Sequence, residues 1–290
     1  MSNIRIHTVR EFIDWSEVCY AKTCPLIDSS LSPGGRPLFF RGHRDVTWEL
    51  RPSVFRKFKN GKESLREREI VLDYKQAFVG ECDYAPHIER MLVEMQHHEI
   101  PTRLLDWSLS PLAALYFACH DAIGKDEEEI KTLPDGKVYA LNPWRSYNEL
   151  VKNSGLHKPP TEYFEILKRA RMLMALGWTH AELQDYATKN YFHSLTPEEL
   201  SWPLPIVGRY MDDRVRSQQG CFVVWGKDKL PLNAFKEYTD NLRDAIIPCD
   251  CKPQIIQELA HMGINAFTLF PDREGFKKMI DAYGGIFRTK

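Results

Sequence analysis

Two short stretches set uncommon polar residues directly against apolar runs: Pro37–Asp45 (PLFFRGHRD) and Gln96–Phe117 (QHHEIPTRLLDWSLSPLAALYF). In the first, Leu38-Phe39-Phe40 reads as a buried strand and runs straight into Arg41, Gly42, His43, Arg44 and Asp45. In the second, Asp106, Trp107, Ser108 and Ser110 lie between the core-like pairs and runs Leu104-Leu105 and Leu112–Phe117. Local rules call for smooth apolar strands here, and places where such rules break are often functional. An arginine at the end of a buried strand is costly unless it is needed. Its planar guanidinium suits two-pronged bonds to phosphate oxygens. We therefore expect the two stretches to form two walls of one pocket, with Arg41 as its phosphate anchor and Asp106 and Ser108 facing it.

A structural use competes at each position. Arg41 can pair with Asp45 or Asp106, and Asp106 can clamp Arg103 or Arg41. Trp107 can simply pack. Ser110 directly precedes Pro111, the pattern of a helix N-cap followed by proline at the first helical position; Ser108 has no such explanation and is the better site candidate. Gly42 suits a positive φ or the close approach of a ligand. His97 and His98 are adjacent, so on a helix they point about 100° apart and do not share one metal.

The bulk numbers narrow the partners. The 290 residues carry 39 Lys+Arg against 40 Asp+Glu, so no net charge advertises nucleic acid or a membrane surface. No apolar run approaches the roughly 20 residues of a membrane-spanning helix, and Met1-Ser-Asn-Ile-Arg lacks a signal-peptide core. Seven cysteines at irregular spacing form no disulfide frame, which places the chain in the reducing cytoplasm. Cys249-Asp250-Cys251 supplies too few ligands for a structural zinc site, and no metal is expected. Phosphate-loop, dinucleotide-fingerprint, zinc-protease and nucleophile-elbow motifs are all missing.

The stretches resemble the FRG domain family. Phe40-Arg41-Gly42 is its name-giving tripeptide. Gln96-His97-His98, then Pro101–Trp107, is similar to its second signature, as is Pro111 followed by Ala114-Leu115-Tyr116-Phe117. Gln219-Gly220 with Phe222 resembles a third block, and Gly263-Ile264 through Phe270-Pro271-Asp272 its end. More distantly, the chain resembles the arginine–serine–glutamate ADP-ribosyltransferases: Arg41-Gly42 ends an apolar strand, and Ser108-Leu109-Ser110 precedes the small-residue helix Ala113–Phe117. That resemblance implies that Arg41 holds the pyrophosphate of NAD and that Ser108 orients the sugar or a catalytic carboxylate. Gln218 and Gln219 stand where the glutamate belongs, and an amide cannot offset developing positive charge as a carboxylate does. Asp212, Asp213 or Glu99 are candidate substitutes. The site expected is then Arg41, Asp106, Ser108 and Gln219 in one cleft, with Gly42, His43, His97, Trp107 and Ser110 contributing to NAD binding.

These residues need a scaffold. Leu38–Arg41, Arg103–Trp107, Lys137–Leu141, Cys221–Trp225, Leu242–Ile247 and Ile264–Leu269 read as strands sharing one core. Val46–Leu50 continues the first or returns as a hairpin. Helical spacing marks Val9–Ala21, Glu63–Gly80, Ile88–His98, Leu112–Ile123, Tyr163–Leu176, Thr179–Tyr191, Lys252–Met262 and Glu274–Tyr283. Asp28–Gly35 and Lys125–Asp135 read as loops. Strands and helices interleave irregularly, so the fold class expected is α+β, a mixed or antiparallel central sheet with flanking helices; the second resemblance implies an ADP-ribosyltransferase-like form of it. We read one domain: an N-terminal helix and loop (1–35), a signature half (36–143), a helical insertion (144–205) near the pocket mouth, acting as a lid or acceptor-recognition element, and a C-terminal half (206–290).

Three functions follow. The first is ADP-ribosyl transfer from NAD to a protein or nucleic-acid acceptor, or NAD hydrolysis, with a toxin or anti-phage role. The second is a metal-dependent phosphodiesterase built on His43, Asp45, His97 or His98, and Asp106. The third is a nucleotide or nucleic-acid binding module, with Arg41, Arg44, Arg51 and Arg103 on phosphates and Trp48 or Trp107 as a stacking platform.

Overall fold

A computed structural model describes residues 4–23, 37–56, 67–78, 88–154, 161–189, 195–207 and 213–283. The expected loop Asp28–Gly35 and Asp212 lie outside these residues. The described residues form six strands: β1 Phe39–His43, β2 Leu104–Ser108, β3 Gly136–Leu141, β4 Leu204–Ile206, β5 Gly220–Val224 and β6 Leu242–Ile247. They form one sheet in the order β4-β5-β2-β1-β3-β6, and every neighbouring pair is antiparallel. The helices are α1 Val9–Thr23, α2 Glu67–Phe78, α3 Ile88–His97, α4 Pro111–Cys119, α5 Glu127–Lys131, α6 Pro143–Ser154, α7 Thr161–Leu173, α8 His180–Lys189, α9 Pro197–Ser201, α10 Asp213–Ser217, α11 Lys236–Thr239, α12 Lys252–His261, α13 Ala266–Leu269 and α14 Arg273–Tyr283. The class is α+β. Among the described residues no helix is long and apolar enough to cross a membrane.

The pleat sends alternate side chains to opposite faces. Leu105, Trp107, Cys221, Val223, Tyr139 and Leu141 enter a core on one face. On the other face the cover comes in two parts. One gathers α2, α3, α7 and α8 over Leu104, Phe222 and Val224. The other packs α1, α4, α12 and α13 over Phe40, Val138, Ala140 and Ala245. Each part is a contiguous apolar cluster, and the seam between them runs over β1 and β2.

Four expectations are corrected. Ile264–Leu269 is not a strand: Asn265 Oδ1 accepts from Phe267 N and Thr268 N, while Thr268 Oγ1 accepts from Asn265 N, and this reciprocal cap starts the short helix α13 instead. Val46–Leu50 neither extends β1 nor forms a hairpin, because Asp45 Oδ1 accepts from both Thr47 N and Thr47 Oγ1 and turns the chain. Lys125–Asp135 contains α5, started by a capping box of Asp126 and Glu129. The block 144–205 is mainly helical, but none of its described residues lines the pocket. Tyr163, Leu167, Leu173 and Leu183 join the cover around α3 instead, because their apolar faces complete that cluster. The same block contributes the edge strand β4, where Pro205 is tolerated because one side of the strand needs no donor.

Candidate functional site

The seam between the two covers coincides with the least-paired place in the sheet. β1 pairs with β3 from Phe39–Leu141 through His43–Lys137, and β2 with β5 from Leu104–Val224 through Ser108–Gly220. β1 and β2 meet only at Phe40–Ser108. Beyond that pair the strands part, and a cavity of about 290 Å³ opens between them. β1 and the turn after it supply Arg41, His43, Arg44 and Trp48. α4 and its end supply Phe117 and His120, α3 supplies Gln96 and His97, β2 supplies Asp106 and Ser108, and α10 with β5 supplies Arg214, Gln218 and Phe222.

Arg41 bridges the parted strands. Its Nη1 donates to the Asp106 carbonyl, and its Nε donates to His43 Nε2 at 2.8 Å. Since Nε2 accepts, the His43 ring carries its proton on Nδ1 and is neutral. Burial drives His43 well below its ordinary value, and the neighbouring Arg41 cation pushes the same way. Burial also pushes Arg41 down, to about 10, partly offset by Asp106; at neutral pH it remains a cation. The Trp48 backbone lies close enough to favour a proton on His43, yet Nδ1 makes no hydrogen bond of normal geometry, and neither does the buried Trp107 Nε1. Burial lowers His120 as well.

Asp106 is the carboxylate of the cavity. Its Oδ2 accepts from Gln96 Nε2 at 2.8 Å, and Gln96 Oε1 in turn accepts from Thr102 Oγ1 at 2.5 Å. The expected clamp on Arg41 exists, but through the Asp106 carbonyl rather than its carboxylate. Ser108 Oγ donates to the Gln218 carbonyl at 2.6 Å and accepts from Ser110 N at 2.9 Å, so it ties β2 to the turn before β5.

Several expected residues sit differently. Gln219 is exposed, holds φ at +48°, and does not line the cavity; Gln218 does. α10 ends in a turn, with Gln218 N and Gln219 N donating to Arg214 O and Arg216 O, and the left-handed residue swings the chain into β5. Gly42 lines the cavity without a positive φ. A Cβ there would lie 1.9 Å from the Ala114 carbonyl oxygen, so its bareness serves the approach of α4 rather than that of a ligand. Trp107 borders the cavity, but its ring is buried with the opposite core and offers no stacking face. Ser110 caps α4, accepting from Ala113 N at 3.3 Å, and does not line the cavity. Asp213 pairs with Arg216, and neither Asp213 nor Glu99 reaches the cavity lining. Arg103 is closed off: Nε donates to Glu67 Oε1 at 2.9 Å, Nη2 to Glu67 Oε2, and Nη1 to the Trp225 carbonyl. Arg51 faces Glu49. Among the described residues no three of His, Cys, Asp and Glu are placed to hold one metal ion; Asp45 serves its own turn, and His98 is exposed.

Sequence reasoning passed over Gln96, Arg214, Phe117 and His120. Gln96 stood beside His97 in a quoted motif and carried a signal. Arg214 gave none, since α10 lies far along the chain. Its guanidinium sits 4.5 Å over the Phe270 ring, and Nη1 reaches the His97 carbonyl at 3.5 Å. Arg44 lies 5.1 Å over the Trp48 ring. Arg41, Arg44 and Arg214 make no ion pair with a described residue, so three cations and one carboxylate face the same cavity.

No curated protein and no solved structure matches the chain at a significant level. A family model does match, and the segment it covers holds β1, α3, β2 and α4, the elements that make most of the cavity; the third and last blocks of the resemblance fall outside it. The model of the FRG domain matches residues 36–127, about a third of the chain.

Proposed function

We propose that the cavity binds NAD and that the chain breaks its nicotinamide–ribose bond, passing ADP-ribose to a protein or nucleic-acid acceptor or to water. The observation that carries this reading is the set of three arginines without an ion-pair partner among the described residues, facing one oriented carboxylate where β1 and β2 part. Anionic ligands satisfy such guanidinium groups through charge-assisted bonds. Arg41 is the pyrophosphate anchor. A cavity of about 290 Å³ is near the small end of ligand sites, roughly 300–1,000 Å³, so it encloses the pyrophosphate and one nucleoside and leaves the other end open.

Breaking the C1′–N bond leaves the electron pair on nicotinamide and positive charge on C1′ and the ring oxygen. A nucleophile then donates an electron pair to C1′ and releases its proton to solvent. The Asp106 carboxylate offsets that charge electrostatically. Gln218 Nε2 already donates to the Leu269 carbonyl at 3.1 Å, so Gln218 offers a ribose hydroxyl its amide oxygen. Loss of NAD or modification of a target harms a cell, so a toxin or anti-phage role follows. The cytoplasm is the compartment this reading implies, in keeping with the free thiols of Cys119, Cys221, Cys249 and Cys251.

The test is nicotinamide release from NAD, followed by chromatography, beside calorimetry with NAD. Wild type should release nicotinamide, Arg41→Ala should lose both binding and release, and Gln218→Glu should preserve or raise turnover. Binding of NAD without release by wild type or Gln218→Glu leaves a nucleotide-binding module; no binding at all removes the reading.

A further inference from the structure

We propose that Gln96, oriented by Thr102, is the positioning residue that holds the Asp106 carboxylate toward the ligand, so that the cavity presents a fixed carboxylate although its third block supplies only an amide. Its role in turnover rests on the NAD reading above; its geometry does not. Thr102 is fully buried, and its hydroxyl is used twice. Oγ1 accepts from Leu104 N at 3.2 Å and donates to Gln96 Oε1 at 2.5 Å. A hydroxyl has one proton to give, and here it goes to the amide oxygen. The other end of the amide, Nε2, therefore faces Asp106 Oδ2 at 2.8 Å. An ionised carboxylate only accepts, so a flipped Gln96 would set two oxygens against each other. One amide orientation satisfies all three residues.

The consequence falls on Asp106. Its side chain is exposed into the cavity, and such a carboxylate turns freely unless tied. The bond from Gln96 fixes Oδ2 and leaves Oδ1 for a ligand. The Asp106 carbonyl meanwhile accepts from Arg41. Phosphate anchor and carboxylate are thus set relative to each other through one residue of β2, whose position is fixed by its neighbour β5. Gln96 sits in the last turn of α3 and Thr102 just before β2, so the tie spans a short connection between two rigid elements.

Thr102→Val removes the hydroxyl and keeps the shape; Thr102→Ser restores the hydroxyl. With NAD as substrate, Thr102→Val and Gln96→Leu should each lower kcat by about tenfold or more, the worth of one hydrogen bond to a charged group. NAD affinity by calorimetry should stay within about threefold, because the phosphate contacts are intact. Thr102→Ser should keep wild-type kcat. An unchanged kcat in Thr102→Val, or a fall that Thr102→Ser shares, overturns the proposal. So does a loss confined to affinity and melting temperature, the mark of a merely structural tie. A second readout needs no turnover: the side-chain amide protons of Gln96 in ¹⁵N-labelled protein should exchange slowly in wild type and rapidly in Thr102→Val. A rapidly exchanging amide in wild type overturns the positioning role, whereas slow exchange without nicotinamide release overturns the NAD reading alone.

Discussion

Arg171 is fully buried and Arg41 half-buried, and desolvation pushes each guanidinium down to about 10. Around Arg171 the structure is closed. Nε donates to the Trp202 carbonyl at 2.7 Å, Nη1 to the Leu167 carbonyl at 3.0 Å and Nη2 to the Glu199 carbonyl. Tyr238 and Tyr147 hold the Pro203 and Pro205 carbonyls, and Tyr163 donates to the buried Glu199 carboxylate. These donors tie α7 to α9 and to the chain entering β4, Tyr147 of α6 ties down β4 itself, and every face of the guanidinium is occupied. Around Arg41 the structure is open. Nε and Nη1 are bonded, Nη2 has no partner among the described residues, and the group lines a cavity. A buried cation saturated by carbonyls serves the fold. One left with donors facing a cavity carries an unmet demand for an anion.

Arg171→Met tests the closed region and should show the largest effect. The buried Glu199 carbonyl and the part-buried Trp202 carbonyl lose a donor at roughly 1–3 kcal/mol each, and the packing of a fully buried side chain goes with them, so urea denaturation should report a loss of about 3 kcal/mol or more. A loss under about 1 kcal/mol would erase the distinction. Arg41→Lys tests the open region. One ammonium cannot copy a two-pronged contact, so NAD affinity should fall by about thirtyfold, roughly 2 kcal/mol, while stability changes by less than about 1 kcal/mol. Stability losses of equal size in the two variants would make Arg41 a second structural clamp.

Acid sharpens the contrast further. The folded pKa of His43 lies below its unfolded value of about 6.5. Between those two values the unfolded chain binds more protons, so stability is complete above about pH 6.5 and is lost as pH falls toward the folded value. Melting temperature should therefore drop from pH 7.5 to 5.5, and His43→Gln, which still offers Arg41 Nε an acceptor, should flatten that drop. His120, also depressed by burial, leaves a residual slope of the same sign. A drop unchanged in His43→Gln would show that the Arg41–His43 couple does not govern it. The smallest effect is expected from Ser108→Ala. Its hydroxyl already bonds Gln218 O and Ser110 N, so removal should cost about 0.5–1.5 kcal/mol of stability and lower turnover by less than about tenfold. A larger loss of turnover would move Ser108 from support to chemistry.

Five of the six expected strands were legible because alternating or continuous apolar runs bounded by Gly, Pro and Asn carry their own register. Ile264–Leu269 was not, since a six-residue apolar run fits a strand or one helical turn equally, and the Asn265–Thr268 cap decides between them. Arg41, Asp106 and Ser108 were legible as polar breaks in apolar runs, and they do share a cavity. The choice between Gln218 and Gln219 depended on where α10 ends and on one left-handed residue, a matter of a single position that adjacent identical side chains cannot reveal.

The sequence by itself determined the alternation of faces along each strand, the cap of α4 at Ser110, and the small residues that let α4 approach Gly42. These are local consequences of side-chain size, branching and hydrogen-bonding capacity. Only the tertiary structure decided which cations were left over. Arg41 and Arg103 look alike in sequence, each beside an apolar strand. Glu67, thirty-six positions away, closes Arg103, while β1 and β2 separate after Phe40–Ser108 and leave Arg41 open. Whether a charge is satisfied depends on every group that packs around it, and those groups are brought together by the fold rather than by neighbouring positions in the chain.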